Sequence, residues 1–330
     1  MAVNPVARRF VGIAKEVTPG TPVAMASTLP VDKFDPSDDV TMLDDQALRG
    51  SMSKQYGQIA GPILSSWDMG GPMFGDGLGH LLYNLLGELA TTGASAPYTH
   101  AFTLLNSGNG QPPTHTFTDR TALPATSGAR QYPYSCISEL TLNWNAEQLC
   151  TWEAKAQCWP SVVPAVAPTN ALSSVVPVPS WRAAFGIGGP ASAGTKVDNI
   201  TEMSITISRE VTPYHTADGT QAPYVIARGP IDVTGKFTRI AEDESQLLDY
   251  LANAQPQLQI LLSNGGAAGG LVSVQVDMAK VGYRTNKINS GGTVFVYDVE
   301  FQAIANTTNV GTSGGLAPAK VTLQNAVTSY

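Results

Sequence analysis

Charge is scarce in this chain: lysine, arginine, aspartate and glutamate make up 14% of its 330 residues, against ~25% in an ordinary soluble domain. A surface so poor in charge suits a protein covered by partners. A β-rich protein that fills its surface with Ser, Thr, Asn and Gly gives the same count. Basic residues are also scattered, with Arg8-Arg9 the sole adjacent pair and a net charge of −7. That excludes a groove built to grip phosphates. A weakly negative surface would instead let DNA slide past without adhering.

Cysteine is nearly absent too. Cys136, Cys150 and Cys158 are odd in number and form no C-x-x-C spacing, which argues against a disulfide framework or a structural zinc site and for reduced thiols in a protein made in the cytoplasm. No apolar run reaches the roughly 18 residues of a membrane span. The opening Met1–Arg9 has no apolar signal-peptide core. A protein neither classically secreted nor embedded in or bound to a membrane is expected.

Catalytic patterns are missing as well. His80, His100, His115 and His215 fall in no H-x-x-x-H or H-E-x-x-H arrangement. His100 and His115 lie in Thr-rich, strand-like segments and could meet across a hairpin as a two-histidine metal site, although ordinary strand positions are the plainer reading. The Gly-rich 75–79 lacks dinucleotide-loop spacing and opens a leucine-striped helix. In 189–196 the order is Gly-Thr-Lys, which misplaces both the lysine and the hydroxyl of a phosphate loop. Asp44-Asp45 sits in a polar loop and Glu242-Asp243-Glu244 starts a helix, where acids favour the dipole. No catalytic, cofactor-binding or metal-ligating residue is assigned, and a non-enzyme without cofactors is expected.

What is present is alternation. Leu140, Leu142 and Trp144 oppose Glu139, Thr141 and Asn143; Met203, Ile205 and Ile207 oppose Glu202, Ser204 and Thr206. The same period runs through 272–278 and 294–303, where Phe295, Tyr297, Val299, Phe301 and Ala303 share a face and Asp298, Glu300 and Gln302 the other. Period two with one wet face marks half-buried antiparallel strands. Two segments read as helices: 77–86, with leucines at helical spacing, Asp76 as start cap and Gly87 as end, and 244–253, with Asp243 as cap. The fold class is therefore mainly β, with two tandem sandwich or split-barrel domains, each carrying one flanking helix.

The division comes from a proline-rich, uncharged stretch, 161–180, read as a stiff connector between domains at 1–160 and 181–330. The halves match across it. Arg8, Gly12 and Ile13 align with Arg182, Gly186 and Ile187 at an offset of 174, and Gly61-Pro62-Ile63 with Gly229-Pro230-Ile231 at 168. Leu81-Leu82 aligns with Leu247-Leu248 at 166, and Glu153 and Ala156 with Glu300 and Ala303 at 147. A steadily falling offset indicates duplication with deletions in the second copy.

The run Gly12-Ile13-Ala14-Lys15-Glu16-Val17-Thr18-Pro19-Gly20-Thr21-Pro22-Val23, followed by Asp44-Asp45-Gln46-Ala47-Leu48-Arg49-Gly50, resembles the opening of tail tube proteins of long-tailed bacteriophages. Tyr98 to Leu104 and Ser138 to Leu142 continue the resemblance in the family's order. One departure is the Gly-rich, Trp-bearing 65–77, where a plainer strand is expected. The resemblance implies a structural virion protein without enzymatic activity, assembled in the host bacterial cytoplasm into stacked rings of the tail, the conduit for genome delivery. It implies β-sandwich or split-barrel tube domains whose inner strands join around the ring. Its implied partners are further copies of itself, tail terminator and tail-tip proteins, and the tape measure protein and then DNA in the lumen.

With two domains per chain, three chains would supply six domains in a pseudo-sixfold trimer, a hexamer being the alternative. Segments 43–60 and 209–228 hold the place of the inter-ring loops, with Asp44, Asp45, Arg49, Lys54, Arg209, Glu210, Asp218 and Arg228 as candidate contacts. Glu139, Asp298 and Glu300 are candidate lumen-facing acids. Two other readings compete: a tandem β-sandwich binding or decoration module that uses exposed tryptophans on glycans or a host surface, and a hydrolase with a dispersed active site, for which no nucleophile–base spacing speaks.

Overall fold

The computed structural model describes residues 3–171, 173 and 175–330. In chain order the first half forms β1 (Phe10–Lys15), β2 (Ser27–Leu29), the long hairpin β3 (Lys33–Asp45) and β4 (Gly57–Pro72), and helix α1 (Gly75–Leu86). It continues with the hairpin β5 (Gly87–Thr92) and β6 (Tyr98–Leu104), then β7 (His115–Arg120), β8 (Ala129–Asn145) and β9 (Thr151–Cys158). The second half forms β10 (Ala184–Ile187), β11 (Lys196–Val197), the long hairpin β12 (Ile200–Tyr214) and β13 (Val225–Ile240), and α2 (Ser245–Leu251). It ends with β14 (Leu258–Ser263), β15 (Ser273–Met278), β16 (Val281–Asn289), β17 (Val296–Ala303) and β18 (Lys320–Asn325). Each alternating segment found in the sequence contains a strand with its apolar face buried, except that Phe295, expected on the face of Tyr297, Val299, Phe301 and Ala303, precedes β17 and is 61% exposed.

Two antiparallel sheets result, and both cross the midpoint of the chain. In one, eight strands run side by side in the order β3-β4-β9-β8-β12-β13-β17-β16, and β8 continues into a flank formed by β7, β1 and β2. The join between halves is β8 with β12, from Glu202 opposite Asn145 to Ser208 opposite Glu139. The other sheet has the order β11-β10-β14-β15-β18-β6-β5, so the last strand of the second half pairs with the β5–β6 hairpin of the first. One continuous apolar core lies between them.

The strand pairings repeat. In β3 and β4 a register shift between Val40 and Met42 leaves Thr41 unmatched; in β12 and β13 the same shift falls between Arg209 and Val211, at Glu210. A second shift falls between Ile137 and Glu139 in β8 and between Tyr283 and Thr285 in β16. Bulges kept at matching positions are built features of a strand pair. They make β12 the counterpart of β3 at an offset of 169, β13 of β4 at 168, and β16 of β8 at 146. The expected alignment of Glu153 with Glu300 slips by two residues: β17 follows β9 at 145, so Glu300 answers Lys155 and Phe301 answers Ala156. A two-residue slip keeps every side chain on its face, so alternation cannot reveal it. Nor does the offset fall steadily. It drops to 141 at β7 and β14, because the β5–β6 hairpin has no second copy between α2 and β14, and then rises to 146.

Helix α1 explains the Gly-rich segment before it. Leu78, Leu81, Leu82, Leu85 and Leu86 are all buried, each contributing roughly 2 kcal/mol by leaving water. Side chains at Gly77 and Gly79 would collide with Leu29 and the Tyr330 ring, so glycine lets the helix sit this close. The helix begins two residues earlier than expected: Phe74 is the N-cap, with no side-chain cap, and Asp76 lies inside the first turn. Gly87 closes the helix in the left-handed conformation expected of it. In α2 the N-cap is Glu244, and the Asp243 carboxylate accepts the Ser245 amide at 2.9 Å. The Trp-bearing segment is an ordinary strand end, with Trp67 buried against Phe117 at a centroid distance of 4.3 Å.

The proline-rich connector is docked to the first half and does not stand free. Val162 and Gln131 exchange backbone hydrogen bonds, the Val178 carbonyl accepts the Cys150 amide, and the Val178 amide donates to Met73. Leu172 and Ser174 of this stretch lie outside the described residues. Among the described residues no helix is long and apolar enough to cross a membrane.

Candidate functional site

Pleating sends alternate residues of the eight-stranded run to opposite sides. One side is core. The other is mainly polar, broken by Leu64, Ile240 and Val296, and no strand or helix among the described residues covers it. Glu139, Asp298 and Glu300 all lie there, since Glu139 aligns through Ser208 with Asp232, and Glu300 and Asp298 pair with Lys236 and Thr238. Asp35, Asp39, Asp68, Glu153, Glu202 and Asp232 share this face with them, against Lys33, Lys155, Lys236, Arg284 and Lys287. The Lys155 ammonium donates to Glu139 at 2.9 Å, and this contact raises its pKa. The Thr238 hydroxyl donates to Asp298 at 3.0 Å. The face is broad, wet and net acidic.

The two long hairpins run past the end of this wall; the first tip meets no neighbouring strand among the described residues, and the second touches β4 through Gln221. In the first tip, Asp45 pairs with Arg49, whose guanidinium lies 5.1 Å from the Tyr56 ring centre, and Asp44 accepts the Gln55 amide at 2.8 Å. These contacts shape the loop and present Leu48 and Met52 fully to solvent, beside an exposed Lys54. The second tip carries Asp218, whose carboxylate accepts the Thr220 amide and hydroxyl, bonds that hold its pKa below the ordinary value. Glu210, at the bulge, is exposed.

Arg209 and Arg228 belong to neither tip surface, contrary to expectation. Both are buried, at 7% and 6% exposure. Arg209 donates to the carbonyls of Gly229, Leu85 and Gly110, at 2.6, 3.1 and 3.0 Å. Arg228 donates to Asn84 at 3.1 Å and to Pro112. Two cations of the second half thus cap the C-terminal carbonyls of α1 in the first, where the helix dipole favours positive charge. Burial and the neighbouring Arg228 charge pull Arg209 down to about 10, so it stays protonated at neutral pH. These residues hold the halves together.

Another group gives the Gly12–Val23 run its physical meaning. Glu16 is 5% exposed and accepts four hydrogen bonds: Gly20 N at 2.7 Å, Thr114 Oγ1 at 2.6 Å, Thr116 Oγ1 at 2.8 Å and Tyr134 N at 2.8 Å. A buried carboxylate is tolerated when its lone pairs are filled in this way. The only sequence hint was the Lys-Glu step before a Gly-Thr turn.

The histidines do not meet across a hairpin. His100 is on β6 and His115 on β7, in different sheets. Tyr330 stands against both His80 and His100, with ring centres 5.0 and 4.9 Å apart, and His80 against His115 at 5.5 Å. Burial depresses all three histidines, His80 to about 4 with help from the Lys15 charge. Among the described residues no group of three metal-ligating side chains forms. Trp144 and Trp152 are core residues, 7% and 3% exposed, and Trp159 stacks on Tyr134. They provide no exposed aromatic platform for sugar. Cys136, Cys150 and Cys158 are free and buried, with burial raising each thiol pKa.

The described residues thus form a two-sheet β-protein with a broad polar wall and projecting hairpins. Comparison with known families makes this specific: the phage tail tube protein family matches residues 6–303. The chain belongs to that family. It is a structural component of the virion tail that self-assembles into a tube, and it is not an enzyme. A search of curated proteins returns no match.

Proposed function

We propose that three copies of this chain form each ring of the tail tube, each chain supplying two tube domains in a pseudo-sixfold arrangement. What supports this reading is the repeated four-strand unit, β3-β4-β9-β8 followed by β12-β13-β17-β16, joined edge to edge within one chain. In this reading residues 1–160 and 181–330 are the two domains, and the docked connector carries the chain from one to the next.

The polar wall lines the lumen in this assignment. Its excess of carboxylates, with Glu139, Asp298 and Glu300 among them, repels the phosphate backbone of passing DNA. The tips carrying Leu48, Met52 and Asp218 contact the next ring. The tape measure protein and then DNA occupy the lumen, and terminator and tail-tip proteins bind the tube ends. The test is the mass of the isolated ring together with its symmetry in class averages. Three chains per ring are expected, and six chains would overturn the proposal.

A further inference from the structure

We propose that copies of this chain join head to tail, with the free edge of β3 in one copy added antiparallel to the free edge of β16 in the next and Ser37 opposite Lys287. The proposal rests on the tube reading and adds where the chains meet and in what register.

Among the described residues β3 pairs only with β4, and β16 only with β17, so the eight-stranded run has two open ends. Their counterparts in the repeat, β12 and β8, are the strands that pair at the junction inside the chain. There Thr206 faces Thr141, with hydroxyls 2.9 Å apart. Shifting Thr206 back by 169 gives Ser37, and shifting Thr141 forward by 146 gives Lys287. The same transfer sets Thr285 against Asp39 and Asn289 against Asp35. All of these residues are on the polar face, so Lys287 stands diagonal to two exposed carboxylates. Diagonal neighbours lie about 7–8 Å apart at Cα, within reach of a long side chain. A neutral pair inside the chain becomes, between chains, a cation among anions.

A second observation is independent of charge. At the internal junction the second hairpin tip crosses onto β4: the Gln221 carbonyl accepts the Ile63 amide at 2.8 Å, and its side-chain amide donates to the Gly61 carbonyl at 2.9 Å. The matching edge of β13, at Pro230, Ile231 and Asp232, borders an open groove. The segment that fits it by the repeat is the returning arm of the first hairpin tip of another copy, around Ser53, the counterpart of Gln221 at the offset of 168, which leaves the solvent-exposed Leu48 and Met52 free to face the next ring.

The two junctions also differ in a way that keeps them from exchanging. Inside the chain, Arg209 caps α1. Its counterpart on β3 is Val40, and the helix it would approach is α2, where Leu248 and Leu251 are 51% and 68% exposed. An apolar edge therefore meets apolar leucines, and a second β12 edge would bring arginines there instead.

The experiment is disulfide trapping in assembled tubes. The three native cysteines are buried, so Ser37→Cys combined with Lys287→Cys reports on this contact alone. Mild oxidation is expected to convert the single-chain band into a closed covalent ring on non-reducing gels. Ser37→Cys with Ile288→Cys, whose side chains leave opposite faces, should stay uncrosslinked. Lys287→Asp should stop ring formation while the chain still folds, and adding Asp35→Lys and Asp39→Lys should restore it. Tubes of the Ser37→Cys, Lys287→Cys double variant that form but do not crosslink would overturn the proposed edge while leaving the tube reading intact. An unaltered chain that never forms rings or tubes would overturn both.

Discussion

The side-chain carbonyl of Asn84 accepts the backbone amide of Ile137 at 2.8 Å, deep in the core. The same side chain donates to the Ser135 carbonyl at 2.8 Å. These residues sit where β8 leaves its pairing with β7 and begins pairing with β9. At that point the ladder cannot satisfy the strand, and a helix side chain does so. Asn84→Leu would strip both backbone groups of partners. A loss of about 2–4 kcal/mol is expected, checked by urea denaturation of the unassembled chain, with the far-ultraviolet spectrum of the fold retained.

Removing Arg209 has a different signature. Arg209→Ala leaves the Leu85, Gly110 and Gly229 carbonyls without this donor and is expected to cost about 2–4 kcal/mol. Because the arginine and the α1 carbonyls lie in different halves, the loss should expose the β8–β12 junction first. Hydrogen exchange of amides in β12 is the measurement, with faster exchange there than in β3 expected.

Acid should weaken the fold through the buried histidines. His80 is held at about 4 against an ordinary 6.5. Between those values the unfolded chain takes up a proton that the folded chain refuses. Stability from this group is therefore complete above about pH 6.5 and declines as the pH falls toward 4, by roughly 3 kcal/mol. Denaturation midpoints at pH 7 and pH 5 should differ, and His80→Asn should reduce that difference.

The polar wall makes a prediction about transport. Reversing Glu139, Asp298 and Glu300 to lysine should leave assembly intact, because all three lie outside the core and on β8 and β17, not on the free edges β3 and β16. Phage carrying the triple change should eject DNA more slowly, with the delay greatest at low ionic strength. Ejection triggered in solution and followed by a DNA-binding dye measures it.

The hairpin tips should govern stacking apart from folding. Leu48→Asp with Met52→Asp places charge on two side chains already in water. Stability is expected to change by less than about 0.5 kcal/mol. Tubes seen by negative-stain microscopy should shorten to isolated rings or disappear.

Much of the architecture was legible because the strands of the wall have one wet face and one dry one. That contrast writes period two into segments such as Leu140 to Trp144. The helices were legible for the same reason, through their leucines. Long-range pairing was not legible. Arg209 and Arg228 look like surface residues of a polar loop, since most of the carbonyls that bury them come from α1 and from Gly110, Pro112 and Pro113, far earlier in the chain. Glu16 looked like part of a motif, and its four donors come from three separate stretches of chain. The two-residue slip between β9 and β17 left no trace, because both alignments keep the same residues dry. Glu139, Asp298 and Glu300 were placed on one face by alternation, but their neighbours across strands needed the register.

The β5–β6 hairpin exists in the first half alone and extends the sheet on the far side of the core from the polar wall. The wall strands recur in both halves, but the hairpin comes once per chain. A ring built of whole chains would then have a bore with nearly twice the rotational symmetry of its rim. Any molecule that grips the outside through this hairpin would find half as many footholds as a molecule inside finds repeats. Cargo travelling down the bore would meet a nearly even periodicity, and anything fastened to the exterior would be spaced by the chain.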